Sequence, residues 1–362
     1  IIFRDTLNLE EDQNHIIMAQ GAIGNNMRPL QLKVLESVIL ENNNPQIFRF
    51  NAVHGALDLS SIDLSDHQTA QNFFAQLEFN QSTGFIEVFA DQYLLDLMTS
   101  GITLRTYEAN LEMLGATTAI VFASGYLDSA SGPSLGLFLA FPDGTVLELP
   151  EAFFTNVQFL QNSPSVPLDF YLNGRRIVEN IKYQEGTPPL ELRAEHLQWL
   201  EIKPSGSSDV VFEDSIMLHS DENYLMAVQG IPEDINTPIG LRIINNYRFE
   251  SSESGRVDFA FLHGATTLDV LDLYFEGGPV ASNIAFNNFV SFSTVSPATY
   301  VLSINEPSNP DYYGQYALDL SDKSGEALTV FATTFLETDP DGFNLWALEA
   351  DGTTYELVGL TH

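Results

Sequence analysis

The chain has 362 residues, 44% of them hydrophobic and only 17% charged, yet 49 acids face 14 bases for a net charge of −35. So acidic a surface excludes nucleic acid and anionic lipid as partners, because neither releases counterions onto it. The lack of cysteine excludes a thiol nucleophile, thiolate metal sites and disulfides, and no apolar run is long enough to predict direct membrane insertion.

Four apolar runs, each broken by a short turn, organise the sequence. They lie around Gly21, Gly125, Gly230 and Thr334, a recurrence of about 104 residues that marks an array of similar units. Two landmarks agree at twice that period: Asn51–Ala56 with His54-Gly55-Ala56 returns as His263-Gly264-Ala265, and the turn at Asp143-Gly144 returns at Asp351-Gly352. The expected divisions are 1–46, the C-terminal half of a repeat, then complete repeats at 47–150, 151–255 and 256–362. Each complete unit is long enough to bury its own core, so separate beads are expected, joined at Pro150–Thr155 and Ser251–Gly255.

Taken in order, residues 1–40 supply strands at Thr6–Leu9, His15–Ala22 and Leu30–Leu35. Alone these would expose an apolar face and open edges, so polypeptide outside the sequence is expected to cover them. In the first complete repeat, Thr69–Gln76 and Thr106–Leu114 each read as a turn or two of helix, the scarce helical signals in the chain. The middle repeat carries a hairpin, Leu168–Leu172 and Arg175–Ile181 around Asn173-Gly174, a pair that accepts positive φ at both positions. The last repeat alternates or runs apolar through Val257–Leu262, Val270–Phe275, Val280–Phe286, Phe289–Phe292, Thr299–Ile304, Gln315–Leu320, Ala327–Leu336, Phe343–Leu348 and Thr354–Val358. Strands at that density predict an all-β chain of tandem immunoglobulin-like β-sandwich domains, about three and a half repeats.

The charge is uneven. Residues 49–149 hold 12 acids and two bases, 150–256 hold 16 and eight, and 257–362 hold 15 and the single base Lys323. Screening by salt should relieve the self-repulsion. No cofactor is expected, and calcium only as an adventitious ion.

The candidate sites are few. His54 and His263 occupy equivalent positions where the middle repeat has Gln161; a role that either His or Gln satisfies predicts a hydrogen bond at a strand end rather than catalysis. The other histidines lack zinc-site spacing. Asp63, Asp169 and Asp272 recur inside a strand with no second carboxylate recurring beside them, so a structural bond to a backbone amide is expected. Asp339-Pro-Asp341-Gly342 begins like a calcium loop but lacks its later ligands and reads as a tight turn. Tyr312, Tyr313 and Tyr316 concentrate in one connection and form the candidate ligand rim, since exposed tyrosines stack on sugar rings and bond their hydroxyls; the competing reading packs Tyr316 inward.

The segments Val257–Ala265, Asp272-Leu-Tyr-Phe275, Asn283-Ile-Ala-Phe286, Ala298–Ile304 and Phe343–Leu348 with Asp351-Gly352 resemble the domain-of-unknown-function 4397 family. The likeness covers 257–358 well, 47–149 fairly and 155–250 more weakly. It implies an extracytoplasmic bacterial sandwich in tandem copies and transfers no catalytic residues. The expectation is a non-enzymatic segment of a cell-surface or secreted bacterial protein, serving as stalk, adhesin or assembly module. The alternative is a carbohydrate-binding module. Expected partners are other domains of the same longer protein, neighbouring chains or surface glycans.

Overall fold

The computed structural model describes residues 4, 6, 7, 9–36, 38–232, 234–307, 309–335 and 342–361, with the backbone alone at 309–313, 335, 342 and 361. Two compact units emerge, Ile1–Ala152 and Phe153–His362. The chain is all-β, with two single-turn 3₁₀ segments among the described residues, where no helix is long and apolar enough to cross a membrane.

The first unit opens with the hairpin β1 (Ile16–Gln20) and β2 (Gln31–Leu35). A complete sandwich follows: β3 (Ile47–Ala56), β4 (Ser61–Asp66), β5 (Asn72–Glu78), β6 (Ser82–Phe89), β7 (Gln92–Thr99), β8 (Ile102–Asn110), β9 (Thr118–Gly125), β10 (Gly136–Ala140), β11 (Val146–Glu148) and β12 (Glu151–Ala152). One sheet runs β11-β10-β9-β3-β6 and the other β12-β8-β7-β4-β5. Between them lies a core built on Phe48, Phe50, Leu64, Leu97 and Val121.

The second unit holds two sandwiches. The middle repeat has β13 (Phe154–Asn162), β14 (Leu168–Leu172), β15 (Arg175–Ile181), β16 (Glu185–Gly186), β17 (Leu190–Arg193), β18 (Leu197–Pro204), β19 (Phe212–Met217), β20 (Tyr224–Gln229) and β21 (Gly240–Ile244). Its sheets are β16-β13-β20-β21, with β17 also on β13, and β15-β14-β18-β19. The last repeat has β22 (Val257–His263), β23 (Val270–Phe275), β24 (Gly278–Ala285), β25 (Phe289–Val295), β26 (Thr299–Glu306), β27 (Asn309–Asp319), β28 (Ala327–Phe335), β29 (Gly342–Glu349), β30 (Thr354–Glu356) and β31 (Val358–Thr361). Its sheets are β25-β22-β28-β29-β30 and β24-β23-β26-β27-β31. In all three repeats the first strand pairs parallel with a late one: β3 with β9, β13 with β20, β22 with β28.

Three of the four expected turns share one geometry, while Thr334 instead lies inside β28, paired with Phe343. Gly21, Gly125 and Gly230 all sit at positive φ (89°, 100° and 90°), and a Cβ on each would fall 2.1–2.3 Å from the carbonyl oxygen of Pro29, Ser134 or Pro238. Only glycine fits both demands. Asn173 and Gly174 likewise take φ of 51° and 78°, the two-residue turn their sequence predicted.

The two helical expectations are corrected. Around Thr69 a single turn does close, with Ala70 N–H donating to the Asp66 carbonyl and Thr69 Oγ1 donating to the Asp66 carboxylate. Ala70 then takes positive φ, which ends the turn, and β5 begins at Asn72. Thr106–Asn110 is the end of β8, held in register against β7, and only Glu112–Leu114 coil, as 3₁₀. Cross-strand pairing outweighs the weak local preference.

Within the second unit, the two repeats share a further core. Leu160, Leu225, Ala227, Ile244 and Tyr247 of the middle repeat pack on Leu262, Phe331 and Leu348 of the last. Sheets β16-β13-β20-β21 and β25-β22-β28-β29-β30 are therefore buried on both faces. That is why all six residues of Tyr224–Gln229 and all seven of Val257–His263 are buried, a pattern of continuous burial rather than alternation.

Candidate functional site

The repeated polar residues turn out to build the scaffold. His54 is fully buried at the end of β3, where Nδ1 accepts the Ala56 N–H at 3.3 Å and Nε2 lies 3.1 Å from the Leu59 carbonyl. In the middle repeat Gln161 Oε1 accepts the Ser163 N–H at 2.9 Å, two residues on as before, and its amide donates to Ser165 Oγ. Burial pushes both His54 and His263 down to about 4, so both rings are neutral at pH 7.

The three aspartates repeat one bond. Asp63 Oδ1 accepts from Gln76 N–H at 2.5 Å, Asp169 Oδ1 from Asn180 N–H at 2.7 Å, and Asp272 Oδ1 from Asn283 N–H at 2.7 Å. Each donor has positive φ, 53–54°, opposite a register shift in the strand pair. The carboxylate thus pins the irregular residue of a bulge. Burial alone would raise the Asp169 carboxyl, but the Ser205 hydroxyl, the Asn180 N–H and Arg176 together hold it low.

The tyrosine rim is corrected at Tyr316. It is 2% exposed in the core of the last repeat, its ring edge-on to Phe343 and its hydroxyl donating to the Phe343 carbonyl at 3.2 Å. Alternation along β27 turns it inward with Leu318. Tyr312 and Tyr313 belong to the same strand, and their side chains lie outside the described residues, as do Asp339 and Asp341. Among the described residues no three His, Asp or Glu side chains converge as a metal site.

What remains is three surfaces. The first is the seam of the second unit, where polar bonds frame the shared core. Gln158 Nε2 donates to the Glu349 carbonyl at 2.7 Å, Asn162 Nδ2 to the Ala332 carbonyl at 3.1 Å, and Tyr183 Oη to the Thr334 carbonyl at 2.5 Å. Tyr247 Oη pairs with Thr329 Oγ1 at 2.9 Å. Two glycines allow this approach: a Cβ on Gly264 would lie 2.1 Å from Asn162 Nδ2, and one on Gly186 would lie 2.3 Å from Leu348 Cδ1.

The second is a cleft of about 790 Å³ at one end of the middle sandwich, lined by Pro164, Val166, Leu168, Pro204, Val211 and Ile239, with Tyr183 and Gln184 at its side. Among the described residues its wall is aliphatic and proline-rich, with Tyr183, whose hydroxyl is already committed, as the titratable side chain. Such a wall suits an apolar group.

The third is the outer face of β15-β14-β18-β19. Trp199 is 46% exposed there, flanked by exposed Leu197 and, on β19, Met217, which pairs with Leu197. Nearby, the Lys203 ammonium sits 4.7 Å from the Tyr171 ring centre. Trp199 was missed from the sequence, although the alternation Leu197-Gln-Trp-Leu-Glu-Ile202 signals it: Gln198, Leu200 and Ile202 point inward, so Trp199 points out.

No protein-family model matches the chain, and no curated protein matches it. Among solved structures it is similar to one described as alpha-glucan recognition by family 41 carbohydrate-binding modules from streptococcal virulence factors, at 12% identity and a TM-score of 0.18, covering 51% of this chain and 95% of that one. It is also similar to the Bacillus anthracis TIE protein, at 9% identity and a TM-score of 0.16, covering 89% of this chain and 59% of that one. At those values neither likeness carries an argument about function.

Proposed function

We propose that this chain is a non-enzymatic, load-bearing segment of a bacterial cell-surface or secreted multi-repeat protein, a stalk or assembly module that holds other domains at a set spacing. The observation that supports it is the seam of the second unit. Two sandwiches joined through a shared apolar core, with side-chain amides bonded to the neighbour's backbone, resist bending at the joint in a way that a flexible linker does not. The resemblance to tandem extracytoplasmic repeats fits the same setting. Pulling the full chain by its ends tests this reading. The middle and last repeats should rupture in one event that releases the whole second unit, a contour gain on the order of 70 nm at about 3.5 Å per residue. Two events of half that length would contradict it.

The second reading is carbohydrate binding on the face that presents Trp199, where an exposed indole offers a flat stacking surface beside charged hydrogen-bonding groups. A glycan array separates the two. Retention of a glycan that Trp199→Ala abolishes would replace the stalk reading with a binding module, and no retention leaves the stalk reading in place.

A further inference from the structure

The hairpin β1–β2 is the counterpart, strand for strand, of β20–β21. Ile16 pairs with Leu35 and Gln20 with Gln31, as Leu225 pairs with Ile244 and Gln229 with Gly240. The bridge Ala22↔Pro29 matches Ile231↔Pro238, and Val38 N–H bonds the Asn14 carbonyl as Tyr247 N–H bonds that of Asn223. The outer faces are also used alike. Ile16, Met18, Leu35 and Val38 pack on Val53 and Ile120 of the following repeat, as Leu225, Ala227, Ile244 and Tyr247 pack on Leu262 and its neighbours. The inner faces differ. Met226 and Val228 are fully buried in the middle repeat's own core, whereas Ile17 is 44% exposed and Ala19 is exposed. Leu218 is fully buried and its counterpart Leu9 is 54% exposed. The edges differ too: β20 has β13 parallel along one side and β21 along the other, while among the described residues β1 pairs with β2 alone.

We infer that the inner face and free edge of β1–β2 are a docking surface for the first half of another repeat of this same kind. Its leading strand would run parallel to β1 in the register that β13 keeps with β20. Its second sheet would cover Ile17 and Ala19 as β14 and β18 cover Met226 and Val228. The occupant is assigned to the same polypeptide, because Leu9 stands where Leu218 carries the chain from β19 into β20. The second unit supplies the template: one hairpin geometry, one outer contact, and a known partner on the other side. An exposed apolar face next to an open strand edge is otherwise an aggregation site.

The chain has no cysteine, so single thiols report directly on this face. In the full chain, Ala19→Cys should react with a thiol reagent at nearly the rate of a free thiol, and Val228→Cys at least 100-fold more slowly. Residues 153–218 are then placed ahead of Glu10 in the Ala19→Cys chain, with residues 47–113 as a second graft in case side-chain sizes mismatch. Either graft should slow labelling to the rate of Val228→Cys. Equal protection of Ala19→Cys and Val228→Cys without any graft would overturn the inference. So would two grafts that leave Ala19→Cys reactive, whether or not they fold, since β1–β2 should complete them. Protection by residues 153–218 added as a separate polypeptide would overturn the assignment to the same chain.

Discussion

Arg248 Nη1 lies 2.7 Å from Asp258 Oδ2, a bond that ties the end of the middle repeat to the first strand of the last. The Asp258 carboxylate is completely buried, whereas the Arg248 side chain is 41% exposed. Asp258 also accepts from Ser252 N–H, Ser251 Oγ and Thr294 Oγ1 at 2.7–3.1 Å. One carboxylate therefore organises the whole 251–258 joint.

Asp258→Ala should cost about 3 kcal/mol in denaturant unfolding, because several donors are left buried without a partner. Arg248→Ala should cost about 1 kcal/mol or less, since its exposed side chain is screened. Burial alone would raise the Asp258 carboxyl, but the Ser252 N–H, the Thr294 hydroxyl and Arg248 hold it at about 2. With a folded value below the unfolded one, its contribution is fully present above about pH 4 and is lost as pH falls toward 2. The gap between wild type and Asp258→Asn should narrow over that window.

His263 gives a test of the same sign in a milder pH range. Its folded value of about 4 lies below the unfolded value of 6.5, so the unfolded chain binds more protons between those limits and stability falls with pH. The wild type should lose about 2 kcal/mol from this group on going from pH 7 to 4.5. His263→Gln, the residue type that the middle repeat uses at this position, should remove that loss. Equal acid sensitivity in the two proteins, read by chemical unfolding at both pH values, would contradict the burial of a neutral imidazole.

Gly264 and Asn162 should be coupled. Gly264→Val puts methyl groups where Asn162 Nδ2 stands, 2.1 Å from the new Cβ, and where the Ala332 carbonyl oxygen lies at 3.0 Å. The substitution should destabilise the second unit by about 3 kcal/mol. Asn162→Ala in the same chain should recover about 1 kcal/mol of that, so the two changes together cost less than their sum. Strict additivity in the double-mutant cycle would place the two residues apart.

The net charge of −35 predicts salt dependence. Raising salt from low to about 0.5 M should raise Tm, because charges more than a few ångströms apart are screened at that strength. Lys323 should moderate the effect locally: it bonds Glu349 at 2.7 Å and is pushed well above its ordinary value by that carboxylate. A Tm flat across the salt series would show that the acids are already spaced widely enough not to repel.

Much of this fold was legible because its signals are local. The glycine turns, the Asn173-Gly174 hairpin and the His54/Gln161 exchange each depend on a few residues, and the structure realises each of them. The seam was not legible, although its mark was present. Leu225–Val228 and Phe259–Leu262 read as short unbroken apolar runs, which says that both faces are covered but not by what. The partner depends on residues about 100 positions away, and no period within a strand encodes that. At Tyr316 the tyrosine cluster suggests a rim, whereas the competing inward packing follows from the alternation with buried Leu318 and half-buried Gln315. Trp199 stands alone rather than in a cluster, so composition does not point to it, although the alternation of its strand does.

The most direct test of the shared seam is native-state hydrogen exchange of the full chain across a denaturant series. The amides of Leu225 and Ala227 on β20 and of Val330 and Phe331 on β28 should merge into one opening, with one free energy and one denaturant slope. Leu160→Asn, which sets an unpaired amide into the seam, should lower both strands by the same amount. If β28 kept its full protection while β20 lost its own, the middle and last repeats would be independent beads and the seam a mere contact.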